Sequence, residues 1–117
     1  MKTIDKYTIY CTAEQTKKAL ELGAPIKSFE NITTASANEG YYLDGTTLVK
    51  LPTAEQMCGW LRRKGFQIRA EEYDDYCVGR VFYHYKLICA AGGYGTYEEA
   101  TLAAIDVALN YLIKKEE

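Results

Sequence analysis

The chain is short of the residues that most catalytic and metal sites are built from. It has a single histidine, His84, and four cysteines with no C-x-x-C pair and no Cys/His pair at ligand spacing, which excludes the common structural metal motifs. It has no surplus of positive charge either. Fourteen Lys and Arg face sixteen Asp and Glu, for a net charge of −2, which argues against strong sequence-independent attraction to phosphate backbones. No run of apolar residues is long enough to span a bilayer, which excludes a helical membrane anchor. Asp5 and Lys6 interrupt the opening segment where a signal peptide needs an unbroken apolar stretch, so the expected address is cytoplasmic. There Cys11, Cys58, Cys77 and Cys89 are expected to stay reduced and to serve as small apolar packing residues.

What remains is an ordinary globular composition, 48% apolar and 26% charged, with 11 tyrosines as its one excess. A chain of 117 residues predicts a single domain over 1–117, burying about two-thirds of the surface its unfolded form exposes.

The tetrapeptide Thr-Ala-Glu-Gln occurs at Thr12–Gln15 and again at Thr53–Gln56. A threonine at the N-cap accepts a hydrogen bond from the amide three residues on, and a Gln or Glu there reaches back. Thr96 and Glu99 repeat the spacing. Three helices opening alike explain the repeat better than duplication, since the shared letters are those the cap requires. The expected helices are Ala13–Leu22, Ala54–Lys64 and Tyr97–Lys115. Gly23 and Gly65 end the first two, and Ala13, Thr16 and Leu20 form a narrow stripe on the first. The third is apolar over most of its girth and is the core helix.

Two hairpins are expected between them. "YYLDGTTLVKL" suits a two-residue turn at Asp44-Gly45 with Tyr41 opposite Leu48. "FQIRAEEYDDYCVGRVFYHYKLICAA" reads as two long strands around Asp74-Asp75. Phe66 then lies opposite Tyr83, Ile68 opposite Val81, Ala70 opposite Gly79 and Glu72 opposite Cys77, with Tyr85, Leu87 and Cys89 continuing that apolar side. Residues 26–39 have no clear period and read as a long loop, and a short strand is expected near the N-terminus. The order predicts an α+β fold of two layers, an antiparallel sheet of hairpins with helices mainly on one face.

Candidate chemistry is thin. Cys77, His84 and Cys89 read as one strand, where odd and even positions face apart, so no nucleophilic Cys/His pair forms. "AAGGYGTYEE" leads from strand to helix but lacks the lysine of a phosphate loop, and Glu98 and Glu99 repel an anion. Its glycines are expected to permit a tight turn. Glu71-Glu72 and Asp74-Asp75 are expected to be solvated turn formers. No cofactor and no enzymatic activity follow.

The outer side of the long hairpin is more informative. It carries Arg69, Val78, Arg80, Phe82, His84, Lys86 and Ile88, an apolar and basic mixture awkward to leave in water. Either the first helix, the early hairpin or the long loop covers it, or it meets a partner, such as a second copy in a homodimer. Nucleic acid is the alternative partner, through Arg69, Arg80, His84 and Lys86, against the net charge.

The segments "CTAEQTKKALELGAPI", "LPTAEQMCGWLRRKGF" and "GTYEEATLAAIDVALNYL" resemble a group of small uncharacterised proteins of phages and mobile elements of gut Bacteroidetes. That resemblance implies an accessory protein of mobile DNA and assigns no catalytic or binding residue. The order helix 54–64, hairpin 66–90, helix 97–115 is similar to that of double-stranded-RNA-binding domains, with a Gly-rich lead into an Ala-rich last helix. That family has a lysine-rich start there, where this chain has Thr96, Tyr97, Glu98 and Glu99.

Overall fold

Three threonines begin the three helices. Thr12 precedes α1 (Ala13–Glu21), Thr53 precedes α2 (Ala54–Arg63) and Thr96 precedes α3 (Tyr97–Glu116) in the computed structural model, which describes residues 8–30 and 40–116. Thr12 and Thr53 both close full capping boxes, each hydroxyl accepting from the glutamine amide at 3.1 Å. The glutamine side chains accept in return from the cap amides at 3.1 and 3.0 Å. Thr96 departs in one detail. Its hydroxyl accepts from the Glu99 amide at 3.0 Å, but Glu99 Oε1 takes the threonine's own O–H. Gly23 and Gly65 adopt φ of 91° and 101° just past α1 and α2, the left-handed conformation that ends a helix cheaply in glycine.

The strands form two three-stranded antiparallel sheets, so the fold is α+β. The smaller sheet has the order β1 (Ser28–Phe29), β3 (Thr47–Lys50), β2 (Tyr41–Asp44). Its hairpin turns at Gly45-Thr46, one position beyond the expected Asp44-Gly45, so Tyr41 pairs with Lys50 and Leu43 with Leu48. Gly45 takes φ of 64° as the first turn residue, the place where a two-residue hairpin loop prefers glycine. Ser28–Phe29 pairs within what reads as loop in the sequence, residues 31–39 of that segment lying outside the described residues. The expected N-terminal strand falls largely outside them too. Tyr10 makes a single antiparallel bridge to Thr53.

The larger sheet is a meander of β4 (Phe66–Glu72), β5 (Cys77–Tyr83) and β6 (Lys86–Tyr94). Around Asp74-Asp75 the expected register holds throughout: Phe66 pairs with Tyr83, Ile68 with Val81, Ala70 with Gly79, Glu72 with Cys77. The second strand, however, does not run on to Cys89. It reverses at His84 and Tyr85, whose φ values of 50° and 68° make a left-handed two-residue turn, and Lys86 returns to pair with Tyr83. Beyond the turn Phe82 pairs with Leu87 but Val81 with Cys89, leaving Ile88 as an extra residue in a bulge. A second irregularity sets Gly92 and Gly93 against Val78, so these glycines belong to β6 rather than to the turn before α3.

One face of this sheet holds the core. Phe66, Val81 and the half-buried Ile68, Tyr83, Ile88 and Cys89 pack with Met57, Trp60 and Leu61 of α2 and Ala104, Ile105, Ala108 and Leu109 of α3. Each large side chain fully buried there contributes roughly 1.5–3 kcal/mol. The helix α3 packs on all three strands and on α1 and α2. Of the narrow stripe expected on α1, Thr16 is buried and Ala13 half-buried, but Leu20 points outward, and α1 docks on α3 through Gln15, Thr16 and Ala19. Gln15 Nε2 donates to the Leu102 carbonyl at 2.8 Å and to Asp106 Oδ1 at 3.3 Å.

Candidate interaction surface

The opposite face of the meander is built by parity. Once Phe66, Ile68, Val81 and Tyr83 point inward, Gln67, Arg69 and Glu71 of β4 and Val78, Arg80 and Phe82 of β5 must point outward, with Leu87 beside Phe82. Arg69 lies with its guanidinium carbon 5.3 Å from the centroid of the Phe82 ring, a cation–π contact. Arg80 pairs with Glu71, and its Nη2 lies 3.5 Å from the Tyr73 hydroxyl. Both partners of that ion pair keep much of their exposure, so it contributes at most about 1 kcal/mol. Val78 is only 8% exposed, pressed against the bulge at Gly92, whereas Leu87 is 49% exposed. None of the first helix, the early sheet or the described part of the long loop covers this face: α1 packs on α3, and the small sheet packs on neither face of the large one.

The seven residues expected on this surface therefore separate. Arg69, Val78, Arg80 and Phe82 share it. Ile88 does not, because the bulge swings it onto the core face. His84 sits in the turn, its ring stacked on Gly65, where an added Cβ would come within 2.8 Å of it. Lys86, opposite the inward-facing Tyr83, lies at the sheet's end. Leu87 and the turn residue Tyr85, 96% exposed, are the surface residues the sequence concealed. A left-handed pair of His and Tyr offers none of the Gly or Asn that announces such a turn.

Burial pushes the Cys11 thiol up to about 12 and Cys58 up to about 11, and Cys77 is raised by burial and by Glu72 and Glu99. These thiols are protonated at neutral pH and poor nucleophiles. All four cysteines are free. Cys77, His84 and Cys89 do not share the single strand expected of them: β5 ends at Tyr83, His84 lies in the turn and Cys89 lies in β6. Among the described residues no three His, Cys, Asp or Glu side chains are grouped to hold a metal, and no helix is long and apolar enough to cross a membrane.

Two concavities flank the last turn of α2. A groove of about 470 Å³ is lined by Ile26, Met57 and Trp60 with Lys27, Lys50 and Arg63. A cleft of about 250 Å³ is lined by Arg62, Gly65, Phe66, Gln67, His84 and Tyr85. No family model, curated protein or solved structure matches the chain.

Proposed function

We propose that the chain is a non-enzymatic interaction protein that associates with a second copy of itself through the outer face of β4–β6. The observation that carries this is the side-by-side pair Phe82 and Leu87 on a sheet face that no described helix packs against. An antiparallel sheet with one solvated face normally alternates apolar inward and polar outward. Here the outward positions include Val78, Phe82 and Leu87, and the flanking Arg69, Arg80 and Glu71 supply both signs of charge, so the face complements a twofold copy of itself. The resemblance to small phage and mobile-element proteins supports an accessory role, and the raised thiols support binding over covalent catalysis. Light scattering on wild-type and Phe82→Glu protein tests this. Wild type gives the dimer mass and the variant the monomer mass. A wild-type monomer at every concentration sinks the self-association.

The order α2–β4–β5–β6–α3 favours a second reading. With three strands rather than two it follows the helix–strands–helix order of double-stranded-RNA-binding domains more fully than the sequence alone indicates. Against it, the start of α3 carries exposed Glu98 and Glu99, and Glu99 and Glu72 both flank Cys77, so that end of the unit is acidic and repels a duplex backbone. Titration with duplex RNA at two salt concentrations separates the readings.

A further inference from the structure

The larger sheet and the helices beside it gather acidic groups at one end and basic groups at the other. At one end Glu72 and Glu99 both flank Cys77, with Asp74 and Asp75 in the β4–β5 turn and Glu98 beside Glu99 in the first turn of α3. At the other, α2 closes with Arg62, Arg63 and Lys64, β6 opens with Lys86, and α3 closes with Lys114, Lys115 and Glu116. These segments meet in space. The His84 amide donates to the Gly65 carbonyl at 2.9 Å, and Lys115 Nζ lies 5.1 Å from the Tyr83 ring centroid. Helix polarity alone favours cations at the ends of α2 and α3. It does not explain the two concavities there. Neither has a carboxylate among its described lining residues, in a chain where acids outnumber bases, and the last turn of α2 supplies Arg63 to the groove and Arg62 to the cleft.

Tyr85 is the second, independent observation. A left-handed residue carries no steric penalty as glycine and is strained as tyrosine, and at 96% exposure nothing in the fold is gained by the Tyr85 ring. Tyr85 borders a cleft with His84, Gln67 and Arg62, whose wall at Phe66 belongs to a firm aromatic cluster in which Phe66, Tyr83 and Tyr111 pack at 4.7 to 5.7 Å. A flat ring held in water, an amide and a guanidinium group in the same cleft, and a lysine-lined groove that meets the same last turn of α2 match an unpaired base followed by its phosphates.

We propose that this basic end binds single-stranded nucleic acid, with a base stacked on Tyr85 over the Arg62–His84 cleft and the phosphates led past Arg63 into the groove with Lys27 and Lys50. The proposal does not depend on the sheet face serving as a dimer seam. Its test is fluorescence anisotropy of the full chain with a labelled oligodeoxythymidine of about 12 nucleotides. Four phosphate contacts, from Lys27, Lys50, Arg63 and the Arg62 guanidinium at the mouth of the cleft, predict that raising salt from about 50 to about 200 mM weakens binding roughly fiftyfold. Tyr85→Gly weakens it about tenfold through loss of the stack, yet raises the melting temperature by about 4 °C as the turn relaxes. Arg62→Ser with Arg63→Ser halves the salt slope, a duplex of the same sequence competes poorly, and Phe82→Glu binds as wild type does. Failure of the wild type to bind at low salt overturns the proposal. So does binding that ignores both sets of substitutions, or a preference for duplex. A rise in mass without oligonucleotide that the same substitutions abolish overturns it too, and assigns the basic end to the acidic end of a second copy.

Discussion

Gly79 lies directly under the backbone carbonyl of Ala100: a Cβ built on it would come within 2.5 Å of that oxygen and 3.2 Å of the Ala104 Cβ. The central strand and the core helix thus meet backbone to backbone, and this closeness sets how deeply α3 sits on the sheet. Gly79→Ala forces the helix outward and is expected to destabilise the fold by about 2–3 kcal/mol, in the range of an overpacked core. Urea unfolding measures it. Gly92→Ala, whose added Cβ meets only the Val78 methyl at 3.3 Å, is expected to be far milder.

Gln15 joins three things with one side chain: its Oε1 closes the α1 cap, and its Nε2 holds the Leu102 carbonyl and Asp106 of α3. Gln15→Ala is expected to cost about 1–2 kcal/mol, a cap and a partly buried hydrogen bond together. Hydrogen exchange localises the effect. Amides of α1 lose protection while those of β4 and β5 keep it.

The buried thiols predict an alkaline weakness. Burial, then the neighbouring Cys58, pushes Cys11 to about 12, and burial chiefly, with Glu55 adding and Arg62 opposing, pushes Cys58 to about 11, both from an ordinary 9.0. Between pH 9 and 11 the unfolded chain releases thiol protons that the native state keeps. Stability therefore falls as pH rises, by up to about 1.4 kcal/mol per pH unit for each protected thiol. Cys58→Ala removes one such group. Its stability curve from pH 8 to 11 is expected to be flatter than that of wild type, and a curve of equal slope contradicts the assignment.

The His84–Tyr85 turn predicts a gain. Tyr85→Gly relieves a left-handed aromatic residue and is expected to stabilise the protein by about 1 kcal/mol. Gly65→Ala does the reverse, since φ there is 101° and the His84 ring must move. Thermal melts of the two variants bracket the wild type.

Local rules made much of this fold legible. The cap needs a Thr and a Gln three residues apart, so both Thr-Ala-Glu-Gln stretches mark helices. Parity needs one turn centre, so Asp74-Asp75 set the β4–β5 register and, with it, the sharing of a face by Arg69, Val78, Arg80 and Phe82. Tertiary structure decided the rest. Tyr-His-Tyr-Lys carries no turn residue of the usual kind, and the bulge at Ile88 exists only because β6 has a partner to slip against. Those two features moved His84, Lys86 and Ile88 off the expected surface and brought Leu87 onto it. The cap rule marks Gln15, but its grip on α3 depends on a contact with no local signature.

The claim that the outer face of β4–β6 is a binding surface is tested most directly by amide chemical shifts recorded as protein concentration rises. The account predicts that Gln67, Arg69, Arg80, Phe82 and Leu87 shift together along one dissociation curve while the amides of α1 stay fixed. Shifts at those positions that are independent of concentration, or changes confined to the helices, would contradict it.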